Sequence, residues 1–376
     1  MSIVLCSVAL CAAAVVFDAA NSADRIFAGD PHVYRARVAE MMQNGLPYID
    51  VPFEHLPVML VPMLIPWFLG GAESPGIYTS VFGVLMTICI GGSTVLIQRI
   101  GESLGDRAAG WRWLLLSAPL LPLVLFRNDP VAVVLALLAV LAITDGRPGW
   151  WIPAFLGGLA KIWPSAVASL GWKRQLGRSA AAAAGGVAGL ALSFAPSFAS
   201  ARNAVGLHTE TIVGAIVGLV RAARDGSAEV LVTTAAYLNV PGWVVAVNTL
   251  LGLGVVGLAL LAMSRQRSAR EGVVALGAVV IGVIMTSNLF SLQYVLWVLP
   301  FLAFDRRKVV LLAGLALSLL TGWLAWVWSV KTVQHLDFYV LVSVRNLVLL
   351  LVAWLCVSPA RLPSGVDELP AVYRAG

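Results

Sequence analysis

The sequence has few charged residues for its length. Of its 376 residues, 12% are Asp, Glu, Lys or Arg and 60% are hydrophobic, whereas about a quarter of a typical soluble domain is charged. This balance excludes a cytosolic enzyme. The hydrophobic residues form about ten apolar runs, each close to the length of a membrane-crossing helix. The composition therefore predicts an all-α polytopic membrane protein whose surroundings are a lipid bilayer.

Cysteine and histidine are also scarce. The chain has 4 of each, it contains no CxxC pair, and no His lies near a Cys at the spacing of metal ligands. We therefore expect neither a disulfide framework nor a metal site, and we predict no cofactor. The cysteines all fall inside apolar runs, at Cys6, Cys11, Cys89 and Cys356.

The net charge of +6 comes from 25 Lys and Arg against 19 Asp and Glu, but it does not indicate a nucleic-acid partner. The basic residues cluster in loops between apolar runs, which is typical of the cytoplasmic side of a membrane protein. These clusters therefore predict the orientation of each run. They are Arg99/Arg107/Arg112, Arg147, Lys173/Arg174/Arg178, Arg265/Arg267/Arg270 and Arg306/Arg307/Lys308.

The basic clusters predict about twelve passes, several of them short or re-entrant, with both termini cytoplasmic. The first run, Ile3 to Phe17, has no basic residue before it, so we interpret it as a retained helix and not as a signal peptide. We predict one transmembrane domain over residues 1–357 and a cytoplasmic tail over residues 358–376. Within this domain, the stretch from Ala199 to about Val240 is interpreted as an external segment.

Two segments do not fit a full crossing. The run from Trp150 to Leu170 lies between two cytoplasmic clusters, so it must leave and re-enter on the same side. We predict a hairpin that turns near Lys161, Trp163 and Pro164, because Pro breaks a helix. Backbone that turns at membrane depth needs protein or a wet cavity around it, so Lys161 should face a cavity. The Pro-interrupted run from Val58 to Phe68 is predicted to be half-inserted.

The first external loop, together with the half-inserted segment, covers residues 18–76 and is rich in acids. Asp30-Pro31 is a typical helix start, because Asp caps helices and Pro suits the first helical position. The residues that follow predict a juxtamembrane helix lying flat on the outer face. From these residues alone, Asp30 is equally well a helix cap or a catalytic carboxylate. The acids between residues 18 and 54 are Asp18, Asp24, Asp30, Glu40, Asp50 and Glu54.

Polar residues also interrupt the apolar runs at their predicted external ends. Ionisable groups are costly in hydrocarbon and usually face each other or a polar path, so each one alone is most simply an interfacial anchor or an ion pair. Together, Arg127, Lys161 and Arg345 predict an outward-facing cavity that holds a phosphate beside a carboxylate. The other interrupting residues are Asn128, Asp129, His208, Glu210, Ser287, Asn288, Gln293, Tyr294, Lys331, His335 and Asp337.

The external loop also carries a recognisable motif, since GDPHVYRARVAEMMQNGLPYID contains an Asp-x-x-Val-Tyr box followed by Gly-x-Pro-Tyr. It resembles the loop signature of the GT-C membrane glycosyltransferases, in particular the actinobacterial polyprenyl-phosphate-mannose-dependent mannosyltransferases of glycosyltransferase family 87. The resemblance continues in the family's order to about Phe304, through the stretches RNDPVAVVLALLAVLA, GGLAKIWPS, LHTETIVGAIVG and SLQYVLWVLPFLAF.

The resemblance implies a GT-C fold and inverting transfer of a hexose, with mannose as the first candidate. The donor would be a polyprenyl monophosphate carrier, and the acceptor a hydroxyl of a membrane glycolipid or lipoglycan at the outer face of the plasma membrane. Asp30 matches the Asp of the box and is the implied general base. From its place in the last predicted external loop, His335 either assists this base, binds a sugar hydroxyl or is a lone interfacial His.

Lys161 and Arg127, together with Arg345, are the predicted ligands of the donor phosphate. A monophosphate leaving group held by such cations does not require a metal. The candidate substrate-binding residues are Tyr34, Asp50, Glu54, His55, Asp129, His208, Glu210, Gln293 and Tyr294.

The sequence departs from the family pattern at two places, and neither of them changes Asp30 or Lys161. His55-Leu56-Pro57 stands where the family usually has Tyr-Pro-Pro, and the expected Arg and Gln-x-Glu-Ser are missing after His208. We therefore expect a different acceptor and the same reaction class.

A transporter or flippase for a lipid-linked saccharide is the alternative, because it also needs a cationic cavity among many helices. Transporters often have broken helices at matching positions in two halves. The breaks near Pro62 and Lys161 have no such partners in the second half of the sequence, which favours the transferase. An inactive relative of the transferases is a further alternative.

Overall fold

The computed structural model describes residues 2–21, 29–171, 175–195, 206–228, 230–232, 236–266, 268–330 and 335–358. Helix accounts for 79% of the structure, which confirms the predicted all-α class. Residues 359–376 of the predicted tail lie outside the described residues, as do Asp24, Lys173, Arg174, Arg267 and Lys331.

Five helices are long and apolar enough to cross a membrane, namely Pro75–Ser103, Gly242–Ser264, Ala269–Thr286, Lys308–Trp326 and Leu336–Val357. Large apolar side chains on their surface point away from the protein, such as Leu258 and Leu347 with 68% and 66% of their surface exposed. Exposed apolar surface of this kind is solvated by hydrocarbon. The protein is therefore embedded in a membrane.

Shorter helices fill the space between the long ones. The α-helices are α1 Ile3–Asn21, α2 Gly29–Asn44, α3 Leu60–Pro66, α4 Pro75–Ser103, α5 Ala109–Ser117, α6 Leu121–Val124, α7 Asp129–Thr144, α8 Trp151–Gly158, α9 Ala168–Gly171, α10 Leu176–Ser193, α11 Ile212–Asp225, α12 Gly242–Ser264, α13 Ala269–Thr286, α14 Leu299–Leu302, α15 Lys308–Val330 and α16 Leu336–Val357.

The two segments predicted to be broken are broken in the structure. Between α8 and α9, the chain turns at residues 159–162 and continues as a 3-10 helix, Trp163–Val167. The prolines precede a kink after α3, where Gly70 has a φ of 98°. The two segments contact each other, because the Val58 N–H donates to the Leu159 carbonyl at 3.2 Å.

Glycines hold the hairpin close to α10. A Cβ atom on Gly158 would collide with the backbone of Gly186, and one on Gly185 would collide with the backbone of Phe155. Small residues allow such close approach between membrane helices, where packing rather than the hydrophobic effect stabilises the contact. The position of Lys161 at the turn therefore depends on this contact.

Three of the basic clusters meet at one end of the bundle. Asp106 forms ion pairs with Arg112 and Arg306, and Arg270 donates to the Leu104 carbonyl. The predicted orientation requires these clusters to lie on the same side, and the structure places them together. We call this end the basic end.

The segment predicted as an external stretch up to Val240 contains elements that the sequence did not predict. Helix α11 begins after Thr211, whose side chain caps the Gly214 N–H at 3.0 Å, and it ends at Gly226 in the left-handed region. Three short antiparallel strands, ordered β1-β3-β2, lie beside it: β1 Leu207–His208, β2 Leu231–Val232 and β3 Ala236–Leu238.

Candidate functional site

Asp30 lies in the first turn of α2 and forms an ion pair with Arg127 of the α6–α7 loop. Asp30 is the second described residue of α2 and so lies inside its first turn. Its carboxylate also accepts a hydrogen bond from the Tyr34 hydroxyl at 3.1 Å. Asp30 and Arg127 keep 24% and 23% of their side chains exposed, so a ligand can reach both.

A second ion pair lies next to the first. Asp129, the first residue of α7, is buried, and its Oδ1 lies 3.6 Å from Lys161 Nζ. The same oxygen accepts the indole N–H of Trp297 at 2.8 Å. A carboxylate at a helix N-terminus is favourable because the backbone N–H groups there carry partial positive charge. Asp30, Tyr34, Arg127, Asp129 and Lys161 form what we call the Asp30 cluster.

The charges of the Asp30 cluster act on one another. Burial lowers the pKa of Arg127, but Asp30 and Asp129 more than offset this and leave the pKa raised. Burial, reinforced by Asp30, holds the pKa of the Tyr34 hydroxyl well above its usual range. Tyr34 therefore remains a hydrogen-bond donor, and Arg127 remains a cation.

Three buried polar atoms beside the cluster find no hydrogen-bond partner among the described residues. They are Arg127 Nε and both polar atoms of the Asn128 side chain. Buried polar groups are nearly always satisfied in a folded protein. These atoms therefore leave unused hydrogen-bonding capacity next to the Asp30 carboxylate.

Stacked aromatic rings connect the Asp30 cluster to the interior. The ring centroids of Trp163 and Trp297 are 5.6 Å apart, those of Trp297 and Tyr294 are 4.0 Å apart, and those of Tyr294 and Phe290 are 6.4 Å apart. Lys161 Nζ lies 5.9 Å from the centroids of Tyr294 and Trp297, within the range of a cation–π interaction. We call these four rings the aromatic ladder.

Arg345 lies at the other end of the aromatic ladder, 4.2 Å above Phe290, and is completely buried. Its guanidinium pairs with Glu210 Oε2 at 2.9 Å and also donates to the Glu210 carbonyl and to Asn346. It does not join Arg127 and Lys161, because its donors are already engaged. Of the three cations, the structure brings Arg127 and Lys161 to the Asp30 cluster and pairs Arg345 with Glu210.

His208 lies next to this buried pair in a neutral state. Its Nδ1 accepts the Glu210 N–H at 3.3 Å, and it hydrogen-bonds to the Phe290 backbone. Burial, with Arg345 nearby, lowers the pKa of His208 to about 3. Burial raises the pKa of Glu210 to about 7, against the opposing effect of Arg345. His208 and Glu210 thus stabilise the fold around Arg345.

The remaining candidates of the first loop have different partners. The His55 ring lies edge-on to the Tyr34 ring at 5.2 Å, and Glu54 pairs with Arg37 at 3.0 Å. Asp50 is exposed and accepts the Leu46 N–H at 2.8 Å, so it holds a turn.

Two candidates from later in the chain have different surroundings. Gln293 is buried and accepts a hydrogen bond from Ser291. His335 is exposed, and its backbone forms a bridge with Ser227. None of the described contacts of His335 reaches the Asp30 cluster. In the part of the chain that the structure describes, no three His, Cys, Asp or Glu side chains converge as metal ligands.

A cavity of about 1080 Å³ lies elsewhere and does not have Lys161 among its lining residues. The Lys161 side chain is 18% exposed and lies near Asp129 and the rings of Tyr294 and Trp297, and the cavity predicted to face it stays a prediction. The residues that sequence reasoning missed are Trp297, Phe290 and Asn346. Trp297 follows Gln293-Tyr294 within the SLQYVLWVLPFLAF stretch, which was the available signal.

Comparisons of the chain with models of protein families, with curated proteins and with solved structures found no match. The Asp30 cluster and the sequence motifs are therefore the features that indicate a function.

Proposed function

We propose that the protein is an inverting glycosyltransferase that uses a polyprenyl monophosphate sugar, with mannose as the first candidate. The observation that carries this proposal is the Asp30 cluster, in which a reachable carboxylate and two cations lie beside unpartnered atoms of Arg127 and Asn128. This combination fits a ligand that has both hydroxyl groups and a phosphate.

In the proposed reaction, the acceptor hydroxyl gives its proton to the Asp30 carboxylate while its oxygen attacks the anomeric carbon. The bond between that carbon and the phosphate oxygen breaks, and the electron pair leaves with the polyprenyl phosphate. Attack from the face opposite the phosphate inverts the configuration. A positioned general base contributes typically 10²–10⁴-fold to such a rate.

Arg127 and Lys161 would stabilise the charge that develops on the departing phosphate. Both are held next to carboxylates in the free protein, at Asp30 and Asp129. A phosphate that enters would compete for Arg127 and release the Asp30 carboxylate for the acceptor. Preorganised cations of this kind act strongly where water is excluded.

The proposal includes a GT-C fold of about twelve passes, an active site on the outer face of the plasma membrane and cytoplasmic termini. The basic end, which carries Arg112, Arg270 and Arg306, would face the cytoplasm. The Asp30 cluster lies near the opposite end of α4, because Tyr34 packs against Phe82 while Asp106 follows the last turn of α4. The acceptor would be a membrane glycolipid or lipoglycan.

The test is transfer of radiolabelled mannose from polyprenyl-phosphate mannose to membrane lipids by the purified protein in liposomes. We expect labelled glycolipid with inverted anomeric configuration. Movement of the lipid-linked donor across the bilayer without any sugar transfer would show a flippase and contradict the proposal. Absence of both activities with every polyprenyl-phosphate hexose would also contradict it.

A further inference from the structure

The cavity of about 1080 Å³ lies between α10 and α12, with α13 and the second limb of the hairpin as its floor. Its walls are largely apolar, and Val187, Leu190 and Leu260 line it while keeping 66%, 46% and 41% of their surface exposed. The cavity therefore opens sideways onto the apolar surface of the protein. In a membrane this opening faces hydrocarbon, so water is a poor occupant.

Polarity along the cavity changes from one end to the other. Gln175, Ser179, Ala183, Val187 and Leu190 line it from the start of α10 towards its end, and they lie on one face because they recur at helical spacing. Polar side chains come first, then a small one, then large apolar ones. The polarity of the wall thus changes in the same direction as that of a lipid molecule, in which a polar head group is followed by an apolar acyl chain.

Positive charge surrounds the polar end. Arg147 lines this end with 69% of its side chain exposed, beside Asp145, and the exposed Arg178 donates to Gln175. Gln266 and Ser268 also line this end. An anionic group at the membrane surface is attracted by such residues.

Two buried donors on the cavity wall have no acceptor among the described residues. They are Ser179 Oγ near the polar end and Trp163 Nε1 at the deep end, and both side chains are at least 98% buried. A buried hydroxyl or indole N–H without a partner is uncommon. Ser179 lies one turn deeper than Gln175, which is the depth of an ester group below a lipid head.

We propose that this cavity binds a glycerophospholipid with an anionic head group. The head lies near Arg147 and Gln175, an ester oxygen accepts from Ser179, and an acyl chain runs along α10 towards Leu190. Ser179 and Leu190 are about 16 Å apart along the helix axis, close to the roughly 15 Å of one hydrocarbon leaflet. The proposal does not depend on glycosyl transfer.

The test uses the full-length protein in phosphatidylcholine nanodiscs that contain phosphatidylglycerol with a photoreactive group near the end of its acyl chain. We expect cross-links to concentrate on Val187, Leu190 and Val256. Ala183→Phe places a large side chain in the cavity and should reduce these cross-links at least about tenfold. The control is Leu250→Phe on the exposed face of α12, which should leave the cross-links unchanged. Ser179→Ala removes one hydrogen bond and should weaken retention about fivefold.

Several results would overturn the proposal. Labelling of the Leu250 face as strong as that of Val187 would show ordinary annular lipid. Retained cross-links in Ala183→Phe, with a thermal unfolding transition like that of the native protein, would remove the site. Equal competition by phosphatidylcholine would contradict the anionic head. Displacement by polyprenyl phosphate at lower concentration than phosphatidylglycerol would identify a carrier lipid as the occupant.

Discussion

The indole N–H of Trp297 donates to Asp129 Oδ1 at 2.8 Å, although 168 residues separate the two in the sequence. The same carboxylate oxygen lies 3.6 Å from Lys161. Trp297 thus fixes Asp129, and Asp129 in turn fixes the cation at the turn of the hairpin. The indole is a positioning group for the proposed phosphate site.

Replacing Trp297 by Phe tests this relationship, because Phe keeps a stacked ring and loses the donor. Loss of a hydrogen bond to a buried charge should lower the free energy of unfolding by about 1.5–3 kcal/mol, and we also expect slower sugar transfer. Thermal unfolding in detergent and the transfer assay measure both. Trp323→Phe, at a side chain that is 55% exposed, is the control. Similar effects of the two substitutions would contradict the role of the indole N–H.

Arg345 and Glu210 should be coupled in stability. Arg345→Met leaves a buried carboxylate without its cation and should destabilise the protein by about 3–5 kcal/mol. The double variant Arg345→Met/Glu210→Gln removes both charges. Its loss in free energy of unfolding should therefore be smaller than the sum of the losses in the two single variants. A double-mutant cycle on unfolding measures this coupling. Additive effects would show that the ion pair does not hold the segment around β1.

Stability should depend on the protonation of His208 at acidic pH. Its pKa is about 3 when folded and about 6.5 when unfolded, so the stabilisation is present above pH 6.5 and is lost as the pH falls towards 3. Between pH 7 and 5 the loss is about 2 kcal/mol. His208→Asn keeps an acceptor for the Glu210 N–H and does not titrate. The difference in free energy of unfolding between the native protein and this variant should therefore change by about 2 kcal/mol between pH 7 and 5. A difference that does not change with pH would contradict a buried neutral His208.

Two glycines should respond to alanine in opposite directions. A Cβ atom on Gly218 of α11 would overlap the Tyr339 ring of α16, so Gly218→Ala should destabilise the protein by about 1–3 kcal/mol. Gly254 of α12 has open space around it, and Gly254→Ala should stabilise by about 0.5–1 kcal/mol through helix propensity. Thermal unfolding of both variants checks this. Native stability of Gly218→Ala would contradict the close packing of α11 against α16, and a loss of stability in Gly254→Ala would contradict the open space around Gly254.

Local patterns predicted much of the fold. Pro164 and Lys161 indicated the turn of the hairpin, the prolines after Pro57 indicated the broken α3 segment, and Asp30-Pro31 indicated the start of α2. Each of these is decided by residues within a few positions of each other. The same reasoning missed α11, although Thr211 and Gly226 are typical cap residues, because the surrounding run was interpreted as a loop.

The pairing of side chains could not be obtained in this way. The sequence grouped Arg127, Lys161 and Arg345 by charge and depth, but the structure gives each cation its own carboxylate, at Asp30, Asp129 and Glu210 respectively. These partners are distant in sequence for Arg127 and Arg345, and their choice depends on how the helices pack. The cation–π contacts of Lys161 and Arg345 depend on packing in the same way.

The measurement that tests the central claim most directly is sugar transfer by Asp30→Asn compared with Asp50→Asn. Asn at position 30 still accepts the Tyr34 hydroxyl but cannot serve as a base, so the rate should fall by about 10²–10⁴-fold. Asp50 holds an exposed turn, and Asp50→Asn should transfer at the native rate. Matched expression and unfolding temperatures exclude a folding defect. Native activity in Asp30→Asn would contradict the account.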